Sequence, residues 1–338
     1  MIKPFSITAW VCLFLCLPAC MKYGPSAEEE FDVSGKGLFI INEGNFMYGN
    51  ASLSYYVPGT GKTENEVFLR ANGINLGDVA QSMQLYDGKG YIVVNNSGVI
   101  FVIDPVTFKV TGTITGLISP RYIHFISKNK AYVTDLYAEK ITVIDPLACG
   151  ITGNIPVKGH PSTEQMVQYG NKVFVSCWSY DNMILVINSE TDQLTDSILV
   201  ASQPSALQID CNGKIWCASA GTLYRINASS HEIEKTFPLS GDGLFSRLCL
   251  NGARDTLYYV NKSVWRMDVS ADRLPVKPFI EYDRELVYGL AVDPVTSQVY
   301  TADAVDYVQQ GVVYRFSPQA VPIDTLRTGI NPGAFCFK

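Results

Sequence analysis

The chain has 338 residues, with 26 Lys and Arg against 32 Asp and Glu, three His and a net charge of −6. No basic stripe accompanies that acidic balance, which excludes nucleic acid as an expected partner. The length alone allows one or two domains.

Lys3 precedes a mostly apolar stretch, residues 4–17, that is too short to span a bilayer and runs into "LPAC" at 17–20. That layout is a secretory signal peptide over residues 1–19. A small residue before cysteine at the cleavage point resembles a bacterial lipobox, which would leave Cys20 as a lipidated N-terminus; an ordinary signal peptide would give Cys20 no role. Several acyl chains on one cysteine anchor stably where a single chain does not. Residues 20–36, the lipidated Cys20 and a polar, acidic segment without hydrophobic period, read as a flexible tether of about 16 residues with a reach of roughly 50 Å. Its run Glu28–Glu30 is either a solvated linker or, as its resemblance suggests, the acidic signal that exports some lipoproteins to the outer face of the outer membrane.

From residue 37 onward a strand recurs: "GLFIIN", "GYIVVN", "KAYVTD", "KVFVSC", "KIWCAS", "TLYYVN" and "QVYTAD". Its third residues are Phe39, Ile92, Tyr132, Phe174, Trp216, Tyr258 and Tyr300, separated by 53, 40, 42, 42, 42 and 42 residues. Strands and turns repeating near this period, with no helical periodicity, predict a β-propeller. A further strand in each unit ends in "VIDP", "VINS", "RINA" or "RMDV", where Asp104, Asp145, Asn188, Asn227 and Asp268 suit side-chain-to-backbone turn bonds. The first unit lacks its first strand, and "PGAFCFK" at 332–338 is a first strand with no second. The expected fold is therefore all-β: one domain over 37–338, a seven-bladed propeller whose ring is closed by the C-terminal strand pairing in the N-terminal blade.

First-to-second and third-to-fourth turns are tight ("YDGKG", "SKNK", "YGNK", "CNGK"), and "PGTGK" at 58–62 is one of these turns and no phosphate loop. Second-to-third loops are long and varied ("NEGNFMYGNAS", "CWSYDN", "DAVDYVQQG"). Antiparallel order puts these on one face with the fourth-to-first connections, so one face is plain and the other elaborate, where binding residues belong.

Catalytic motifs are missing: no G-x-S-x-G, H-E-x-x-H or P-loop occurs. No pair among His124, His160 and His231 has metal-ligand spacing, so no metal site, no cofactor and no enzyme activity are expected. Beyond Cys20 the mature chain holds Cys149, Cys177, Cys211, Cys217, Cys249 and Cys336, whose spacing is not that of a disulfide framework. With Asn212-Gly213 as a two-residue turn, Cys217 would face Gln208 and could not pair with Cys211.

On the elaborate face stand the aromatics Phe46, Tyr48, Tyr122, Tyr137, Trp178, Tyr180, Phe245, Tyr288 and Tyr307. Among them lie Glu43, Asn45, Asp78, Arg121, Asp303 and Asp306. Each ring is either site or inter-blade packing; together they describe a wide, shallow bowl suited to a large, flat, partly polar ligand. Glu43, Asn45, Phe46, Arg121, Tyr137, Trp178, Tyr180, Tyr288, Asp303 and Tyr307 are the candidate ligand-binding residues.

The segments "NEGNF…NASLSYY" (42–56), "LGDVAQ" (76–81), "PRYIHF" (120–125), "YGLAVDPVTSQVYTADAVDYVQQGVVYRF" (288–316) and "GINPGAFCF" (329–337) occur in order. Together they resemble the YncE-like surface lipoprotein propellers of Gram-negative gut anaerobes, and among these the cobalamin-capturing BtuG family. That resemblance implies a protein that binds cobalamin or a related corrinoid outside the cell and passes it to a TonB-dependent outer-membrane transporter. It implies localisation at the outer membrane, facing the exterior and held there by the lipid anchor alone. Two other readings use the same residues: a surface glycan- or protein-binding scaffold, and a propeller enzyme of lactonase, lyase or quinoprotein type, for which His160 and Glu164 are the only support.

Overall fold

The recurring second strands, Leu38–Asn42, Lys89–Val94, Lys130–Asp135, Lys172–Cys177, Lys214–Ser219, Thr256–Asn261 and Val299–Asp303, each sit second in a separate antiparallel sheet. A computed structural model describes residues 31, 36–239, 243–282 and 287–338. Among them it forms seven sheets, numbered here as blades 1–7, arranged as a propeller. The signal peptide 1–19, Cys20 and nearly all of the segment 20–36 lie outside the described residues.

The repeat is legible because its third position is the inter-blade core. Phe39, Ile92, Tyr132, Phe174 and Trp216 are fully buried, as are Tyr258 and Tyr300 within 2%. Successive residues of a strand face opposite neighbours, so both faces of each second strand are apolar and pack against the blades on either side. The turn residues act as their chemistry dictates: Asp104 accepts from the N–H groups of Val106 and Thr107 at 2.8 Å, and Asp145, Asn188, Asn227 and Asp268 do likewise in their blades.

Closure occurs in blade 1. The C-terminal strand Pro332–Phe337 pairs with Leu38–Asn42 (Ile40 opposite Phe335), followed outward by Ser52–Val57 and Lys62–Glu64. The seam with blade 7 is also stitched side to side. Glu43 N–H donates to Asn331 O at 2.9 Å, Asn331 Nδ2 to Gly44 O at 2.8 Å, and Tyr56 Oη to Asp324, which also pairs with Arg315 at 3.2 Å.

Four details differ from the sequence expectations. Among the described residues blade 6 has three strands: after Ser263–Asp268 the chain carries Pro275 and Pro278, which cannot donate to a ladder, and an isolated bridge, Val264 to Ile280, marks the fourth position. A short helix, Val67–Asn72, fills the connection from blade 1 to blade 2; it buries Val67 and Phe68, and the Asn72 side chain ties it to Phe108 O and Val110 N. The hairpin at 209–215 turns over three residues, because Asp210 Oδ1 accepts from both Asn212 N and Lys214 N, so Cys217 faces Leu207 instead of Gln208. All six described cysteines are nevertheless free thiols. Finally, Phe31, within the segment 20–36, packs edge-on against Phe108 at 4.8 Å beneath the Arg70 guanidinium.

Candidate functional site

At the elaborate face the first strands of five blades bulge at one level. Gln81, the pairs Arg121-Tyr122 and Glu164-Gln165, Tyr288 and Gly333 are each extra residues against a straight second strand. A bulge re-aims its side chain, and here four of these residues meet at the mouth of the central channel. Arg121 Nε donates to Glu164 Oε1 at 2.8 Å, and Arg121 Nη1 to Gln81 Oε1. Arg247, just ahead of blade 6's first strand, donates from Nε to Tyr288 O at 2.8 Å. Tyr288 Oη in turn donates to Glu43.

Blade 1 completes the ring by a substitution. Its bulge residue is Gly333, and a Cβ there would stand 2.1 Å from Glu43 Oε1. The carboxylate of Glu43, delivered by the loop 43–51, occupies the space that another residue type at Gly333 would fill. Two guanidinium and two carboxylate groups thus share one partly closed space. Burial raises the Glu43 carboxyl above its ordinary value, opposed by Tyr288, Arg247 and Arg121. Burial likewise raises Glu164 against the pull of Arg121, and it raises the Tyr288 phenol, reinforced by Glu43.

Two cavities flank this polar cluster. One of about 520 Å³ is walled by Asn45, Phe46, Tyr137, Tyr288 and Tyr307. The other, of about 290 Å³, is walled by Arg121, Trp178, Gln203, Leu244, Phe245 and Arg247. Below them a channel of about 370 Å³ runs between the first strands, past Tyr122, His124, Met166 and Phe335. Among the described residues, the bowl expected from sequence contains these two hollows with charged groups between them.

Of the sequence candidates, Glu43, Asn45, Phe46, Tyr137, Tyr288 and Tyr307 come together in the first hollow, and Arg121 and Trp178 in the second. Tyr180 is fully exposed and lines neither. Asp303 also lines neither and binds its own turn through Val305 N. Asp306 likewise binds Val308 N and Gln309 N, while Asp78 holds Met47 N at 2.9 Å. Phe245 is 5% exposed and packs against Tyr259 at 5.1 Å, so it is mainly core.

The polar candidates are already engaged: Asn45 Nδ2 donates to Tyr307 O at 2.5 Å, and Arg121 holds Glu164 and Gln81. The aromatic rims are open instead, with Phe46 62% and Tyr137 70% exposed. Sequence reasoning missed Arg247 and Gln81 and undervalued Glu164. All three stand near the start of a first strand, a column in the repeat that carries a polar or charged residue blade after blade.

The long first loop is fastened at its base and stem, with Glu43 N–H and Gly44 N–H donating to the carbonyls of Asn331 and Ile330, Met47 N to Asp78, and Ala51 N to Gly77 O at 3.1 Å. Its tip presents Phe46, Met47 and Tyr48 to solvent, the last two more than three-quarters exposed.

Residues 36–320 match the family described as "Domain of unknown function (DUF5074)". No curated protein matches the sequence. Among solved structures, a quinonprotein alcohol dehydrogenase-like protein from Bacteroides thetaiotaomicron is similar at 12% identity and a TM-score of 0.71, over 89% of this chain and 78% of that one. The periplasmic gluconolactonase of Pseudomonas aeruginosa is similar at 13% identity and 0.67, over 90% and 99%. The hydrazine synthase of Kuenenia stuttgartiensis is similar at 13% and 0.61, over 76% and 89%. At such identities the likeness is one of fold alone.

Proposed function

The chain belongs to the family described as Domain of unknown function (DUF5074), and on that premise we propose that it is a cell-surface lipoprotein that captures cobalamin or a related corrinoid on its loop face. It passes the corrinoid to a TonB-dependent outer-membrane transporter. The observation that carries this reading is the pairing of two open, aromatic-rimmed hollows across a polar cluster whose groups are already satisfied. A corrinoid offers a broad apolar plane edged with amides. Phe46, Tyr137, Trp178 and Tyr307 can stack on the plane while Arg121, Gln81 and Asn45 exchange present partners for the amides. The exposed tip at Phe46, Met47 and Tyr48 suits contact with the transporter, a small apolar patch being a common docking feature.

The enzyme reading has one observation in its favour: buried Glu43 and Glu164 with raised carboxyls at a channel mouth, the kind of group that serves in acid–base chemistry. Against it, Glu164 is spent on Arg121 and Glu43 accepts from Tyr288. Absorbance titration of the purified protein with cyanocobalamin separates the two. Capture gives a saturable one-to-one spectral change at micromolar concentration with the corrinoid recovered chemically unchanged. No change with any corrinoid at that concentration rejects the ligand.

A further inference from the structure

Among the described residues, His160, Cys177 and Asp181 form one group whose donor atoms, an imidazole nitrogen, a thiol sulfur and a carboxylate oxygen, all lie within 4.8 Å of one another. They come from three places in blade 4: the loop entering its first strand, the last residue of its second strand, and the loop that follows. We propose that these three side chains bind a zinc ion, with the fourth coordination position left to water or to a donor atom of a bound ligand.

The frame holding the donors is built from the backbone. Thr163 pairs with Cys177 in the ladder, Trp178 N–H donates to Ser162 O at 2.8 Å, and His160 N–H to Val157 O at 3.0 Å. Asp181 uses Oδ1 to accept from Asn182 N at 2.7 Å and Met183 N at 3.1 Å, which leaves Oδ2 for His160 Nδ1 at 2.7 Å. A His–Asp hydrogen bond alone would explain a fastened loop. It does not explain the fully buried Cys177 beside it, whose thiol makes no hydrogen bond among the described residues, whereas the buried Cys217 thiol points at a carbonyl. The Ser162 hydroxyl in the same loop is also buried without a partner among the described residues.

Nitrogen, sulfur and oxygen donors together suit a borderline-soft ion, and calcium or magnesium would want oxygens throughout. Bond lengths of about 2.0–2.3 Å put tetrahedral donors roughly 3.3–3.8 Å apart, so the longest side must close by about 1.5 Å at most while the His160–Asp181 hydrogen bond, now 2.7 Å, must open by about 0.6 Å. His160 can move, being on a loop with its side chain 23% exposed.

Cobalt(II), a visible stand-in for zinc, tests the site on the purified full chain kept reduced. One equivalent should produce a thiolate-to-cobalt charge-transfer absorption that one equivalent of zinc removes. Cys177→Ser should abolish the band, and His160→Gln should weaken binding at least roughly tenfold, in the range of 10–100-fold seen for altered metal sites. Cys211→Ser, at an exposed turn on the plain face, should leave it intact. Absence of the band at one equivalent, or its persistence in Cys177→Ser, would overturn the proposal. Should Cys177→Ser not fold, unchanged cobalt affinity in both His160→Gln and Asp181→Asn would overturn it equally.

Discussion

Glu43 shows how one residue links loop, ring closure and site. Its backbone N–H closes the seam to Asn331, and its carboxylate fills the place left by Gly333 and accepts from Tyr288. Because burial raises this carboxyl above 4.5, the folded state holds on to its proton to a higher pH than the unfolded chain does. Stability from that group is full below the unfolded value and is lost as pH rises through the folded one. Its share of the slope is at most about 1.4 kcal/mol per pH unit. Glu43→Gln should therefore flatten the fall in urea midpoint between pH 4.5 and 7.5, while Glu164, raised in the same direction, keeps part of it. A wild-type slope in the variant would contradict the assignment. The same local view selects a neutral control on the plain face. Lys172 Nζ donates to Ser229 O at 3.0 Å and bears on the next blade, whereas Lys128 is 70% exposed and pairs with Asp87 at the surface.

At the level of strands, the ring depends on the segment Pro332–Phe337. A chain ending at residue 331 would expose the edge of Leu38–Asn42 and lose the inner wall of blade 1. It should lose several kcal/mol of a margin that is about 5–15 kcal/mol in such proteins, read as a sharply lower or non-cooperative thermal transition. Full-length melting behaviour in the truncated chain would refute closure by this strand. This pairing was legible because each end of the sequence carries the half-repeat that the other lacks. The inter-blade column from Phe39 to Tyr300 was legible because its spacing is nearly constant, and the Asx turns because Asp or Asn ends the third strand in blades 2 to 6. The bulges were not legible: an extra residue in a first strand leaves the hydrophobic pattern almost unchanged, yet it turns Gln81, Arg121, Glu164 and Tyr288 toward the channel. Nor did spacing reveal that Asn45 would be spent on Tyr307, or that His160 and Asp181 would meet over Cys177, since those contacts join loops of different origin.

For the whole molecule, the proposal sets a ligand-bearing face on a lipid-anchored ring. With Phe31 held against the wall, the chain from Cys20 to Phe31 can reach about 40 Å at full extension, less than a free tether to residue 36 would allow. Cys20→Ala should yield unlipidated protein that leaves the membrane fraction, and continued partition with the outer membrane would point to another anchor. The central claim is that one flat ligand spans both hollows across the polar cluster. Interface anchors of this kind carry about 2 kcal/mol or more when truncated, while their neighbours are nearly neutral. The most direct test is the cyanocobalamin affinity of Trp178→Ala, in one hollow, and of Tyr307→Ala, in the other. Each variant should bind one equivalent at least roughly tenfold more weakly, with thermal stability lowered by no more than a few degrees, while Lys128→Ala binds as wild type. Undiminished affinity in both top-face variants, or a loss confined to Lys128→Ala, would contradict it.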